Sequence, residues 1–172
     1  MNRVQFEEQQ AFHWFVYAVV IVGLACTVIA TETAFRLAGV AADAGDMWWV
    51  HLWIVFPLAF AFNFLYMRTS VLGDELFVQF GYLFPVYRKR IPLKDILQAR
   101  IVEYRPLREA TGWGIRFGRF EGAPCRYLNC RGHRGVLVET QERPYIIGSQ
   151  DPRQLHAALE EARRRQAGSS AG

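Results

Sequence analysis

Cys125, Cys130 and His133 are the residues of this 172-residue chain whose types and spacing come nearest to reactive chemistry. A thiol beside an imidazole is the start of a cysteine nucleophile with its base, and two thiols with an imidazole offer soft donors to zinc. Neither set is complete. Three donors fall one short of a structural zinc site, no C-x-x-C pair is present, and nothing specifies a group to orient His133 or to hold an oxyanion. For the thiols, buried small hydrophobes are the expected outcome. With Cys26 inside an apolar block, the cysteine count is odd and unevenly spaced, which is not a disulfide framework.

Glu103 and Glu109 could pair as acid and base, but Arg105 and Arg108 lie among them, and such mixtures ordinarily form a solvated face. Gly112-Trp113-Gly114 and Gly132-His133-Arg134-Gly135 are glycine-rich, yet neither carries the P-loop lysine nor the dinucleotide-fold spacing, so both read as tight turns. No catalytic residue, metal or cofactor is expected. The basic residues fall into two sets, Arg88-Lys89-Arg90 and a scatter over Arg116, Arg119, Arg126, Arg131 and Arg134. Rings interleave with the second set, as on single-strand nucleic-acid surfaces. In a chain tied to a membrane, anionic headgroups explain the charge more simply, and no nucleic-acid partner is expected.

That tie is the clearest feature of the sequence. Residues 11–30 contain no charge, and at roughly 1.5 Å per residue they reach across roughly 30 Å of hydrocarbon. Residues 47–67 form a second uncharged run of sufficient length, so a two-helix transmembrane hairpin is expected. Trp14, Tyr17, Trp48, Trp49, Trp53 and Tyr66 lie toward the ends of these runs, where amphipathic rings meet headgroups. Pro57 and Asn63 are tolerable in membrane helices, and His13 and His51 sit within about a turn of a helix end. The N-terminal stretch holds two acids and a second apolar run follows closely, so the first run is retained rather than cleaved as a signal peptide.

The connector over residues 31–46 is acidic and has Arg36 as its only cation, whereas Arg68, Arg88, Lys89 and Arg90 follow the second run. Positive charge stays inside, which puts both termini in the cytoplasm of a multi-pass protein of the cytoplasmic membrane. From residue 68 onward there are 18 cations against 11 anions, net +7, more basic than the +4 of the whole chain. The expected organisation is a cytoplasmic segment over 1–10, crossings over 11–30 and 47–67, a connector over 31–46, a β domain over 68–165 and a disordered tail over 166–172.

Within that domain the hydrophobic period is two residues. Leu76, Val78 and Phe80 alternate through ELFVQFGYL, and further strands are expected over 86–91, 96–103, 114–117, 126–128, 135–140 and 144–147. Asp151-Pro152-Arg153-Gln154 has the acceptor, first-turn proline and third-position amide of a helix start, and Leu155, Ala158, Leu159 and Ala162 form an apolar stripe. The fold class is therefore α+β. About seven strands should make a small bent sheet or partly open barrel, with the C-terminal helix, over residues 151–165, capping its open end.

Two membrane helices leading into such strands and a helix resemble the bacterial membrane-anchored pleckstrin-homology-like proteins. The likeness rests on IVEYRPLREATGWGIR, from Ile101 to Arg116, and on GHRGVLVET, YIIGSQDP and RQL between Gly132 and Leu155. It implies the scaffold alone. The phosphoinositide-binding members of that fold cluster cations around their first hairpin, where this chain has Gly73-Asp74-Glu75, and two acids repel an inositol phosphate.

The function expected is a non-enzymatic, membrane-tethered interaction or scaffold module, with a membrane-protein partner or a second copy of the chain. The alternative is a sensor of anionic headgroups. Arg68, Arg88, Lys89 and Arg90 are the candidate lipid contacts, because a cation near an anionic leaflet contributes about 1 kcal/mol within a Debye length of about 8 Å. Trp113 and Arg116 are the candidate partner contacts, of the residue types that dominate interface energies. Trp113 has two open placements, exposed in its turn or folded back as a lid over the core.

Overall fold

The computed structural model describes residues 4–39 and 44–169. The chain forms two compact units, one made of the segments up to Ala11 and from Leu65 onward, the other spanning Phe12–Phe64.

The second unit is helical. Helix α1 covers Trp14–Leu37, with His13 at its N-cap accepting from the Phe15 amide at 3.5 Å. It runs past the expected end at residue 30 because Thr27, Thr31 and Thr33 return their hydroxyls to carbonyls one turn back, at 2.7–2.8 Å, satisfying polar groups without leaving the helix. None of its residues is buried. Among the described residues it is the one helix long and apolar enough to cross a membrane. Helix α2 covers Ala44–Phe64 with Pro57 inside, and among the described residues Val55–Phe64 is an apolar stretch of it. Tyr17 of α1 meets Phe62 of α2, ring centroids 5.6 Å apart. The expected connector over 31–46 thus contracts to the residues between Leu37 and Ala44.

The first unit is α+β, and its described residues form nine strands in two open sheets rather than about seven in a partly open barrel. Strands β1 (Val4–Ala11), β2 (Tyr66–Leu72), β3 (Glu75–Phe80) and β4 (Tyr87–Pro92) form an antiparallel sheet in chain order. Strands β5 (Ile96–Glu103), β6 (Gly114–Phe120), β7 (Ala123–Asn129), β8 (Arg134–Thr140) and β9 (Tyr145–Gly148) form a second, ordered β5-β8-β9-β7-β6. The β7–β9 pair is parallel. Strands β8 and β9 are covered on both faces and read as nearly unbroken apolar runs, VLV and YII.

Residues 1–10, expected as a cytoplasmic segment ahead of the membrane, instead supply β1. Its inward face is Phe6, Glu8 and Gln10. Phe6 enters the core, Gln10 Nε2 donates to the Gly148 carbonyl at 2.9 Å, and Glu8 accepts from Ser149 Oγ at 2.6 Å and from the Gln150 amide at 2.7 Å. Gln10 is thereby buried and Glu8 half-buried, each with a partner from the far end of the chain that offsets lost hydration. Strand β2 likewise begins at Tyr66, inside the run expected to be helical to residue 67. The helical unit is therefore an insertion between two neighbouring strands whose ends, Ala11 and Tyr66, pair directly.

Helix α4 (Pro152–Ser169) starts where the sequence indicates, with Asp151 Oδ1 accepting from the Gln154 amide at 3.0 Å. It extends through Ser169, so the first residues of the expected disordered tail are helical, and residues 170–172 lie outside the described residues. Leu155, Leu159 and Ala162 are fully buried against β1, β2, β5 and β8. A second core lies on the other face of the five-stranded sheet, around Val102, Tyr104, Tyr127, Leu137 and Ile146.

Candidate functional site

Trp113 stands in a turn that only glycine neighbours allow, with φ of +132° at Gly112 and +101° at Gly114. The indole is half-buried, and its Nε1 donates to the Gly132 carbonyl at 3.3 Å. It is neither fully exposed nor a lid on the core: it forms one wall of a cleft of about 620 Å³. The other walls are the end of β5 with Tyr104, the short helix α3 (Pro106–Glu109) and the β7–β8 turn with His133.

Local packing fixes α3. A side chain at Gly118 of β6 would meet the Glu109 carbonyl at 2.0 Å, so the helix end lies directly on that strand. Glu109 Oε2 accepts from the Arg105 amide at 3.1 Å and lies 3.5 Å from the Tyr127 phenol, which donates to the Arg119 carbonyl at 3.0 Å. Burial, then the Glu109 charge, push the Tyr127 phenol far above its ordinary range. Burial also pushes the Tyr104 phenol up to about 12, so both rings stay neutral.

The cleft is apolar along Pro106, Leu107 and Trp113, with Leu107 70% exposed, and charged at its rim. Glu103 pairs with Arg134 at 3.5 Å. Among the described residues Arg105 and Arg108 have no carboxylate within ion-pair distance. Arg116 is exposed and holds the Trp113 carbonyl through Nε at 3.1 Å, which joins the two expected partner residues, although Arg116 braces the turn and lies outside the cleft lining. Leu107 was not singled out in the sequence, where a lone leucine in a charged stretch carries no signal.

The expected lipid contacts separate. Arg68 and Arg88 share one cross-strand row, Gln9–Arg68–Gln79–Arg88, on one face of the four-stranded sheet. Arg68 pairs with Glu7 at 3.0 Å, and hydrogen bonds from Gln9 and Arg68 hold the Glu7 carboxyl below its ordinary value. Lys89 points to the opposite face, 5.2 Å from the Tyr145 ring centroid and 3.7 Å from Glu142. Arg90 reaches Glu75 at 3.6 Å, and with Lys89 it lines a smaller cleft of about 230 Å³. Alternation along β4 accounts for Lys89, since successive side chains leave opposite faces, and it keeps Arg90 on the face of Arg88.

Cys125 and Cys130 are buried and His133 is exposed. Burial pushes the Cys125 thiol up to about 11 and Cys130 higher still, which leaves almost no thiolate at neutral pH. Among the described residues no group of three or more His, Cys, Asp or Glu is placed to hold a metal ion. No family model, curated protein or solved structure matches the chain.

Proposed function

We propose that the chain is a non-enzymatic, membrane-tethered interaction module. Helices α1 and α2 cross the bilayer as a hairpin, both termini lie on the cytoplasmic side, and the β unit offers the Trp113 cleft to a segment of a membrane-protein partner. The observation that carries the tether is α1, apolar for the thickness of a bilayer and with no residue buried. The positive charge of the sequence after residue 68 supports the orientation. None of this depends on the pleckstrin-homology-like likeness, whose partly open barrel differs from the two open sheets.

The cleft suits one kind of occupant, an apolar peptide segment that carries a carboxylate. Leu107 and Trp113 give it apolar walls, while Arg105 and Arg108 supply guanidinium groups not engaged by a carboxylate among the described residues. A photo-crosslinking amino acid at Leu107 of the full chain, irradiated in intact membranes, tests this. The adduct should map by mass spectrometry to an acidic, apolar segment of another membrane protein and should vanish with Trp113→Ala while the melting temperature holds. Adducts only to a second copy of the chain, or adducts indifferent to Trp113→Ala, would overturn it.

A further inference from the structure

The turn between β3 and β4, residues 81–86, displays apolar side chains to solvent. Tyr82 is 69% exposed, Leu83 79%, Phe84 47% and Val86 37%, and the turn holds no charged residue. Turns are ordinarily polar, and a contiguous apolar patch of this kind marks a contact surface. The display is built into the backbone. Gly81 has φ of +113°, and a side chain there would meet the Phe84 carbonyl at 2.2 Å. The Gly81 amide donates to the Tyr66 carbonyl and the Val86 amide to the Phe80 carbonyl, each at 2.9 Å. The rings of Tyr66 and Tyr82 meet edge-on at 5.2 Å.

Position identifies what covers it. The turn joins the ends of β3 and β4 beside Tyr66, at the end of the sheet that also carries Ala11. Two residues separate Ala11 from α1, and one separates α2 from Tyr66. A bilayer entered by these helices therefore begins within a few residues of the turn. Tyr66, Tyr82 and Tyr87 are the amphipathic type favoured at headgroup depth. Arg68 and Arg88, two rows in from the Ala11–Tyr66 pair, share a row on one face; Arg68 is paired with Glu7, and Arg88 is exposed there, as a cation facing lipid phosphates would be.

We propose that residues 81–86 form a membrane-inserting turn, with Leu83 and Phe84 seated in the shallow acyl region of the bilayer. This rests on the tether proposed above. It also gives the β unit a second point of attachment to the membrane.

The test places an environment-sensitive fluorescent amino acid, one site at a time, at Leu83, at Leu97 of β5 and at Ile21 of α1. The full chain is reconstituted into phosphatidylcholine–phosphatidylglycerol vesicles. Quenching is read from iodide in the water and from lipids spin-labelled high on the acyl chain. At Leu83, loss of iodide quenching together with strong lipid quenching is expected, whereas Leu97 should answer to iodide. If Ile21 is shielded by lipid but Leu83 responds to iodide as Leu97 does, the inserting turn is wrong and the tether stands. If Ile21 itself responds to iodide, the tether fails and the turn with it. Leu83 shielded from both quenchers would mean that a protein surface covers it, which also overturns the proposal.

Discussion

Replacing residues 12–65 by the dipeptide Asn-Gly should leave the β unit folded and soluble. Ala11 and Tyr66 are direct antiparallel partners, about 4.5–5.5 Å apart at Cα, the span that a two-residue turn closes. For a flexible connector, shortening the loop this far lowers the closure cost by about 3 kcal/mol. The buried Leu65 side chain is lost with the insert, at about 1.5–3 kcal/mol, so the two effects nearly cancel. The variant keeps Trp113 as its single tryptophan, since Trp14, Trp48, Trp49 and Trp53 all lie in the excised stretch. Urea unfolding followed by its fluorescence and by far-ultraviolet dichroism should give one coincident transition. Adding Phe6→Ala should then cost about 3–5 kcal/mol, as for a truncated core aromatic. An insoluble or non-cooperative product, or a Phe6→Ala change without cost, would refute the placement of β1 in this sheet and of the helices as an insertion within it.

Leu155→Asp should destabilise the β unit by about 3 kcal/mol or more, because the new carboxylate lands where Leu155 is fully buried; unaltered urea unfolding would remove α4 from the core. Tyr104 adds stability in full below the ordinary phenol value of 10.0, and that contribution should fall as pH rises toward about 12, a loss that Tyr104→Phe removes and alkaline unfolding curves can show. Cys125 and Cys130 should resist maleimide at neutral pH until the protein is unfolded, read by mass spectrometry. A reporter active only outside the cytoplasm should work when fused after Gly45 and fail when fused after Gly172; the reverse would invert the orientation.

Local chemistry made much of this fold readable. Strand β5 spans the stretch expected for it, the Asp151-Pro152 start of α4 is written in side chains that bond their own backbone, and the glycines around Trp113 announce its turn. What the sequence hid depends on distant partners. Glu8 and Gln10 look like solvated polar residues, and only Gly148, Ser149 and Gln150, at the other end of the chain, make them the inner face of β1. Strand β2 follows the apolar run with no glycine or proline to punctuate it, so Tyr66 and Met67 read as helix. At the β3–β4 turn, alternation continues past Phe80 in GYL, and the Gly81 backbone turns the chain before that pattern ends. The cleft was legible only at Trp113, since the wall given by α3 needs Gly118 beneath it.

The tether is tested most directly by washing membranes from cells that make the full chain with alkaline carbonate, which strips peripheral proteins and leaves spanning ones. The chain should stay in the pellet and pass to the supernatant only when residues 12–65 are replaced by Asn-Gly. Release of the full chain by the wash would contradict a spanning α1 and, with it, the account of the β unit as a module held at the membrane.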